Sequence, residues 1–421
     1  MMNSRSCAVI NLGCKVNRVE TDSFLAFLLA QGFKEEELSS ADLILVNTCT
    51  VTAEAEKKTR KAVHHALREN PDAEVLVTGC AAAISAEEFR SMSPRVRVLG
   101  KASVMPYLED LSAELSSQDS QVTKDARKPY YLRLGSPFHE RVNVKVQDGC
   151  DNACSFCIVH VARGKSVSYP KRRILGEVSA YAQAGTKEII LTGINLGAYE
   201  VYEDATSYNL VDLLSDLLEE TKDFTDENNH ACRFRLSSIE PKNITDELID
   251  FIAASQGRIC RHLHLPLQSG STKVLKEMNR PYSAEEYWAL VDKLYEKIPE
   301  LTLSTDMICG FPGESQEDFE DSLKMARACR FAKIHVFPYS EREGTPAASR
   351  TDQVEKHVRQ ARAKELRDLA QVLRKEAWDQ RSGMSELVLV ESSNRGMTES
   401  YFEVHEPMNA PVGSLIPYEI C

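Results

Sequence analysis

The chain has 421 residues, 43% hydrophobic and 27% charged, which excludes a disordered polymer and is too long for one ordinary core. Its 51 basic against 63 acidic residues give a net charge of −12, which excludes a general basic coat for nucleic acid and leaves room only for local patches. The opening MMNSRSCAVINLG lacks the pattern of a secretory signal, and no run approaches the ~20 apolar residues of a membrane span. The expectation is a cytoplasmic protein with no membrane partner. Twelve cysteines in a reducing compartment point to metal ligation, catalysis or core filling rather than disulfides.

In chain order, residues 1–116 alternate short apolar runs with helical patterns. CAVINLG (7–13) precedes an amphipathic stretch over 19–31, DLILVNTC (42–49) one over 53–68, and EVLVTGC (74–80) one starting at Ala86; VRVLG (96–100) is a fourth strand. This grammar predicts a Rossmann- or flavodoxin-like α/β domain with a parallel sheet. The apolar period lapses over 112–128, and a linker is expected over 117–135. Within 136–370 six further strands alternate with helices: RVNVKV (141–146), EIILTG (188–193), CRFRLSS (232–238), HLHLPL (262–267), LTLSTDMICG (301–310) and KIHVFPY (333–339). Six consecutive units predict a partial (β/α)6 barrel. A charged helix over 352–381, with Leu366, Leu369 and Leu373 on one side, leads into a 371–421 module whose SELVLVE, SYFEVHE and GSLIPYEI have the period of strands.

Cys150, Cys154 and Cys157 form a C-x₃-C-x₂-C run just past the first barrel strand. Three thiolates so close in sequence can wrap one face of an iron–sulfur cubane and leave one iron open to a ligand. The alternative is zinc, which favours paired spacings and a closed fourth position. A second set is spread along the chain. Cys14, Cys49 and Cys80 each follow a strand of the first domain, 35 and 31 residues apart. In a parallel sheet those carboxyl ends share one edge, so the three are expected to converge on a second, again three-liganded, metal site. For Cys7, Cys232, Cys260, Cys309, Cys329 and Cys421 core filling is the default, with Cys309 near the barrel mouth the one to watch.

With Phe156 before its last cysteine, the run Cys150–Cys157 resembles the signature of the radical S-adenosylmethionine superfamily. The barrel's later strand ends fit a cofactor pocket: Thr192, Gly193 and Asn195 for an amino group, Ser237 and Glu240 as polar and acidic groups at the mouth, Gln268 for a ribose, and Gly310 and Phe311 where glycine lets backbone approach an adenine. Together with Cys14, Cys49 and Cys80 and the terminal β module, which is similar to an RNA-binding TRAM barrel, the chain resembles the methylthiotransferase family. Leu12-Gly13-Cys14-Lys15-Val16-Asn17 resembles the branch acting on threonylcarbamoyladenosine.

The resemblance implies methylthiolation of C2 of N6-threonylcarbamoyladenosine next to the tRNA anticodon, with two [4Fe-4S] clusters and S-adenosyl-L-methionine as cofactors. Cys150, Cys154 and Cys157 would be catalytic, holding the cluster that cleaves S-adenosylmethionine, and Cys14, Cys49 and Cys80 would hold the auxiliary cluster. Partners would be the tRNA anticodon loop and a low-potential electron donor of flavodoxin or ferredoxin type. Within 160–173, Lys165, Lys171, Arg172 and Arg173 are candidate phosphate contacts, with Lys57, Lys58, Arg60 and Lys61 a second patch. The competing readings are a methylthiotransferase for a ribosomal protein or for isopentenyladenosine tRNA and, from another class, a two-cluster electron carrier or a non-catalytic RNA-binding protein.

Overall fold

A computed structural model describes residues 5–116, 140–203, 205–226 and 228–421. By its internal contacts the chain forms two units, Met1–His139 with Ile158–Gly164, and Glu140–Cys157 with Lys165–Cys421. The linker expected over 117–135 lies outside the described residues.

The first unit is built on five parallel strands, β1 (Ser6–Asn11), β2 (Lys34–Glu35), β3 (Leu43–Thr48), β4 (Glu74–Gly79) and β5 (Val96–Val98), in the order β2-β1-β3-β4-β5. β3 is buried at every position because it lies mid-sheet with both faces covered. Ile44, Val46, Val75 and Val77 pack on one face with Val63 and Ala66; Leu43, Leu45 and Leu76 pack on the other with Phe24, Leu28, Val104 and Leu108. Helices α1 (Lys15–Ala30), α2 (Ala53–Glu69), α3 (Cys80–Ile84), α4 (Ala86–Arg90) and α5 (Lys101–Ser116) connect and flank the strands. The Thr52 hydroxyl caps α2 by accepting from Ala55 N at 3.1 Å. Two details differ from the sequence reading. α1 begins at Lys15 rather than Val19, and β2 was not legible because its two exposed residues carry no alternation.

In the second unit the six expected strands are present, at Arg141–Lys145, Glu188–Thr192, Arg233–Leu236, His262–His264, Thr302–Cys309 and Lys333–Pro338. All their pairings are parallel, in two three-stranded sheets joined through the bridges Phe234–Ile259 and Ser238–His264. Successive strands lie side by side, which is the partial (β/α)6 barrel. The helix Lys356–Asp379 buries Leu366, Leu369 and Leu373 as its pattern predicts. The C-terminal strands Ser385–Ser392, Arg395–Thr398, Glu403–Val404 and Leu415–Glu419 pair as an open antiparallel sheet over Val388, Val390, Val404 and Met408.

This small sheet closes the amino-terminal end of the barrel strands. Arg233 donates to Leu387 O (2.7 Å) and Met397 O (3.1 Å), Arg235 to Thr398 O (3.0 Å) and Glu399 O (2.9 Å), and the Thr302 hydroxyl to Ser400 O (2.7 Å). Both guanidiniums also bind Glu188, which is fully buried. The Tyr401 ring sits 4.4 Å from the His262 ring, with Arg235 and Lys333 at 5.1 and 5.0 Å from its centroid.

Candidate iron–sulfur and cofactor sites

Cys14, Cys49 and Cys80 lie just past the carboxyl ends of the adjacent strands β1, β3 and β4. Two glycines set the close approach. Gly13 has φ +108°, and a Cβ there would stand 3.0 Å from Cys49 Sγ; Gly79 has φ +96°, and a Cβ would collide with Asn47 Oδ1 and the backbone of Thr48. Asn17 fastens two of the loops, donating to Leu12 O and Thr48 O at 2.8 Å each, while its Oδ1 lies 3.7 Å from Cys14 Sγ. The Thr48 hydroxyl holds the third, donating to Thr78 O (2.6 Å) and accepting from Ala82 N (3.0 Å). Burial raises the Cys49 thiol, backbone N–H groups of Val51 and Thr50 draw it down, and the neighbouring Cys80 and Cys14 push it up again. The three sulfurs are thus electrostatically coupled. Lys101 Nζ stands 3.8 Å from Cys80 Sγ and 3.6 Å from Glu20, whose carboxylate also pairs with the buried Arg163 at 3.2 Å. The sequence reading quoted Asn17 only within the branch motif and gave Lys101 and Arg163 no role at the cysteines, since no spacing rule links those two to them.

At the carboxyl end of the first barrel strand, the loop of Cys150, Cys154 and Cys157 is pinned from several sides. Ser155 N donates to Met278 O (3.0 Å), Ala347 N to Ser155 O (2.9 Å) and Asn279 Nδ2 to Ala153 O (2.8 Å). Burial raises the Cys150 thiol while the Asn152 N–H, 3.4 Å from its sulfur, lowers it. Arg280 donates to Cys154 Sγ at 3.2 Å and also binds Glu240 and the Tyr282 hydroxyl. A buried cation is therefore aimed at a prospective thiolate. Arg280 and Tyr282 were not singled out from sequence.

The polar strand ends form one connected set around this loop. Asn195 Nδ2 donates to Asn243 Oδ1 (3.1 Å) and its Oδ1 accepts from Glu240 N (3.3 Å), while Gly193 N donates to Ser237 Oγ (3.2 Å). Gln147, fully buried, accepts from Ile194 N and Asn195 N at 2.9 Å each, so those N–H groups are engaged by the protein itself. Thr192 is fully buried beside them, and Gln268 takes a left-handed φ of +72° between Asp306 O and Ile308 N. Phe156 packs half-buried with Ile308 against Val274, Met278 and Tyr339.

At Gly310 and Phe311 the structure shows what the side-chain space holds. The space a Cβ would take at Gly310 is filled by Arg359, so this glycine admits the long helix rather than an adenine on that side. Phe311 has no exposed surface; its ring meets Tyr339 edge-on at 5.7 Å within the core. Among the basic residues expected at RNA, Lys165, Arg172 and Arg173 are exposed, whereas Lys171 pairs with Asp216 at 2.8 Å and lies over the Tyr208 ring.

The donor chemistry suits iron–sulfur clusters. Among the described residues, the group with three donor atoms all within 4.8 Å of one another is His264, Asp306 and His335, not either cysteine triplet. Thiolates on one tetrahedral zinc stand at Zn–S distances of ~2.3 Å and crowd more closely than that, whereas a cubane spreads its thiolates over separate irons. Cys7, Cys232, Cys309 and Cys329, by contrast, are buried with thiols pushed up to about 12, and Cys260 to about 11. They are core residues, Cys309 included; Cys421 is exposed.

Comparison with known proteins places these features in a class. Residues 144–326 match the Radical SAM superfamily and residues 6–100 the Uncharacterized protein family UPF0004. The radical S-adenosylmethionine methyltransferase TsrM from Kitasatospora setae shares the fold, with a TM-score of 0.55 and 15% identity over 82% of this chain and 77% of that one. The chain is a radical S-adenosylmethionine enzyme, the class that uses S-adenosylmethionine and a [4Fe-4S] cluster. It is 37% identical to the threonylcarbamoyladenosine tRNA methylthiotransferase MtaB of Bacillus subtilis (87% of this chain, 80% of the relative) and 32% identical to that of Aquifex aeolicus (96% and 97%). The tRNA-2-methylthio-N(6)-dimethylallyladenosine synthase of Carboxydothermus hydrogenoformans is also 32% identical (94% and 90%). The chain belongs to the methylthiotransferase family. No helix among the described residues is long and apolar enough to cross a membrane.

Proposed function

We propose that the chain methylthiolates C2 of N6-threonylcarbamoyladenosine beside the tRNA anticodon. What supports this reading most directly is the set of three thiols at the barrel mouth with Arg280 aimed at one of them, in a chain whose relatives include threonylcarbamoyladenosine tRNA methylthiotransferases. Cys150, Cys154 and Cys157 would hold one [4Fe-4S] cluster, and Cys14, Cys49 and Cys80 a second. With S-adenosylmethionine and iron–sulfur bound, the site supplies the radical chemistry that an unactivated aromatic C–H requires and that no side-chain acid or base can provide.

The chain's own residues bind and orient. Arg280 offsets the charge of the Cys154 thiolate, and hydrogen bonds to cluster sulfurs are a lever on reduction potential. Asn195, Ser237, Glu240 and Gln268 line the cofactor side of the mouth, with Thr192 and Gly193 behind them and Phe156 as an apolar wall. Lys101 plays the part of Arg280 at the auxiliary triplet. The terminal sheet and the patch around Arg172 hold tRNA, a flavodoxin- or ferredoxin-type donor supplies electrons, and the protein works in the cytoplasm. We assign the N-terminal methylthiotransferase domain to 1–116, the barrel to 136–370 and the terminal module to 371–421.

Mass spectrometry of hydrolysed tRNA tests the reading. A deletion strain is expected to lose the methylthio group from threonylcarbamoyladenosine and regain it on complementation. Loss from dimethylallyladenosine instead would move the chain to the branch of the Carboxydothermus relative, whose identity is nearly as high. Phosphate binding has its own signature. Changing Lys165, Arg172 and Arg173 to Gln is expected to weaken tRNA binding and to flatten the dependence of log K on log salt, by roughly 0.7–0.9 for each phosphate that is no longer neutralised. An unchanged slope would remove this patch from the interface.

A further inference from the structure

The barrel carries a polar cluster that the proposed chemistry leaves unused. His264, Asp306 and His335 come from three adjacent strands and bring one donor atom each within 4.8 Å of the others. Register explains the meeting: His264 pairs with Ser304 and Asp306 with His335 across neighbouring parallel strands, so all three share one sheet face. That face is the lumen. Leu263, Leu265 and Met307, the alternate residues, are fully buried on the opposite side, whereas His264, Asp306 and His335 are each partly open.

Their depth can be read along the strands. His262 and Lys333, two residues earlier than His264 and His335, meet the Tyr401 plug at the barrel floor. Ile308, two residues after Asp306, packs against the same core cluster as Phe156 of the cluster loop. The trio therefore forms the side-chain layer between floor and cluster loop, each layer about 6.6 Å along the strands. His264 is held in place: its Nδ1 lies 2.9 Å from Ser304 Oγ and its Nε2 3.4 Å from Asp306 Oδ1, with its ring edge-on to His335 at 5.7 Å.

We infer that this trio reads the N6 substituent of the target base, an amino-acid-like group bearing a carboxylate and a hydroxyl. The inference rests on the function proposed above. A threonylcarbamoyl group offers a carboxylate and carbonyl as acceptors and a hydroxyl as donor; imidazole N–H groups and the Asp306 carboxylate complement them. A dimethylallyl group is all hydrocarbon and would offer the open side of these polar groups nothing to bond. Sites built to hydrogen-bond a substrate reject an analogue lacking the group far more strongly than apolar pockets reject an added one. His264, Asp306 and His335 are on this argument specificity-determining residues.

The test uses full-length, cluster-reconstituted enzyme and tRNAs that differ only at the modified base: threonylcarbamoyl, the same group with its carboxylate methyl-esterified, and dimethylallyl. Wild type is expected to lose about 10- to 100-fold in kcat/KM on esterification, the size of one buried polar interaction left unmade. His335→Phe is expected to turn over acid and ester equally, and His264→Gln and Asp306→Asn to narrow the preference over dimethylallyl tRNA. A wild type indifferent to esterification overturns the inference even if every variant fails to fold. So does stoichiometric Mn²⁺ binding by electron paramagnetic resonance that Asp306→Asn abolishes, since the trio would then be a cation site. A wild type that turns over dimethylallyl tRNA and ignores the threonylcarbamoyl form would instead sink the proposed function itself.

Discussion

Replacing Cys150, Cys154 and Cys157 together by alanine is expected to abolish S-adenosylmethionine cleavage and to halve the iron bound after anaerobic reconstitution, from about eight to about four per chain. On the proposed assignment the loss is complete because the three sulfurs would be the whole protein ligand set of that cluster, and Arg280 would then face an apolar wall. Replacing Cys14, Cys49 and Cys80 is expected to halve the iron as well, yet leave cleavage measurable. The two triple variants therefore separate ligation from catalysis. Full iron in the second would mean that the sheet-edge thiols are only core residues.

The second large effect is expected at the barrel floor. Glu188→Gln leaves Arg233 and Arg235 buried without their counter-charge, and breaking a buried pair on one side costs roughly 3–5 kcal/mol. For a unit of this size that corresponds to a fall on the order of 10 °C in the midpoint of its thermal transition, followed by near-ultraviolet circular dichroism. Burial alone would raise the Glu188 carboxyl, but Arg235 and Arg233 outweigh it and hold it well below the usual carboxylate range. A depressed folded-state value means stability present above the unfolded value of about 4.3 and lost as pH falls below it. Wild type is thus expected to lose more stability than Glu188→Gln between neutral and strongly acid pH. Equal losses would mean that the carboxylate is not the group the arginines rely on. Removing residues 383–421 takes away five hydrogen bonds to Arg233, Arg235 and Thr302 at once, so truncation is expected to weaken the barrel as well as RNA binding.

The positions of the cysteines were legible from strand grammar and local spacing. The spacing at 150–157 is local, and Cys14, Cys49 and Cys80 each follow an apolar strand, so strand grammar alone put them on one edge. The floor was not legible for a reason rooted in the same grammar. Period two says that Arg233 and Arg235 share a face and Phe234 and Leu236 the other, but not which face is inside. On an open sheet the charged face meets solvent; in a barrel it turns inward, and only the fold brings Glu188 and the carbonyls of 397–399 to meet it. His264, Asp306 and His335 escaped for the same reason. Arg280 reaches Cys154 from 126 positions away, a relation that no motif encodes. At Gly310 and Phe311 the strand-end pattern said nothing of the surroundings, which the fold fills with Arg359 on one side of the glycine and Tyr339 beside the ring.

The contrast between the two populations of cysteine bears on how such a protein is made. Burial comes first for Cys49 and Cys150 as it does for Cys7, Cys232, Cys260, Cys309 and Cys329, but only at the two loops do backbone N–H groups act against it. Iron is delivered to thiolates, not thiols. Cys14, Cys150 and Cys157 are open to solvent in whole or part while Cys7, Cys232, Cys260, Cys309 and Cys329 are buried, so iron arriving at the folded chain would meet the loop sulfurs before those inside. Selectivity of loading would then follow from which thiols the fold leaves within reach.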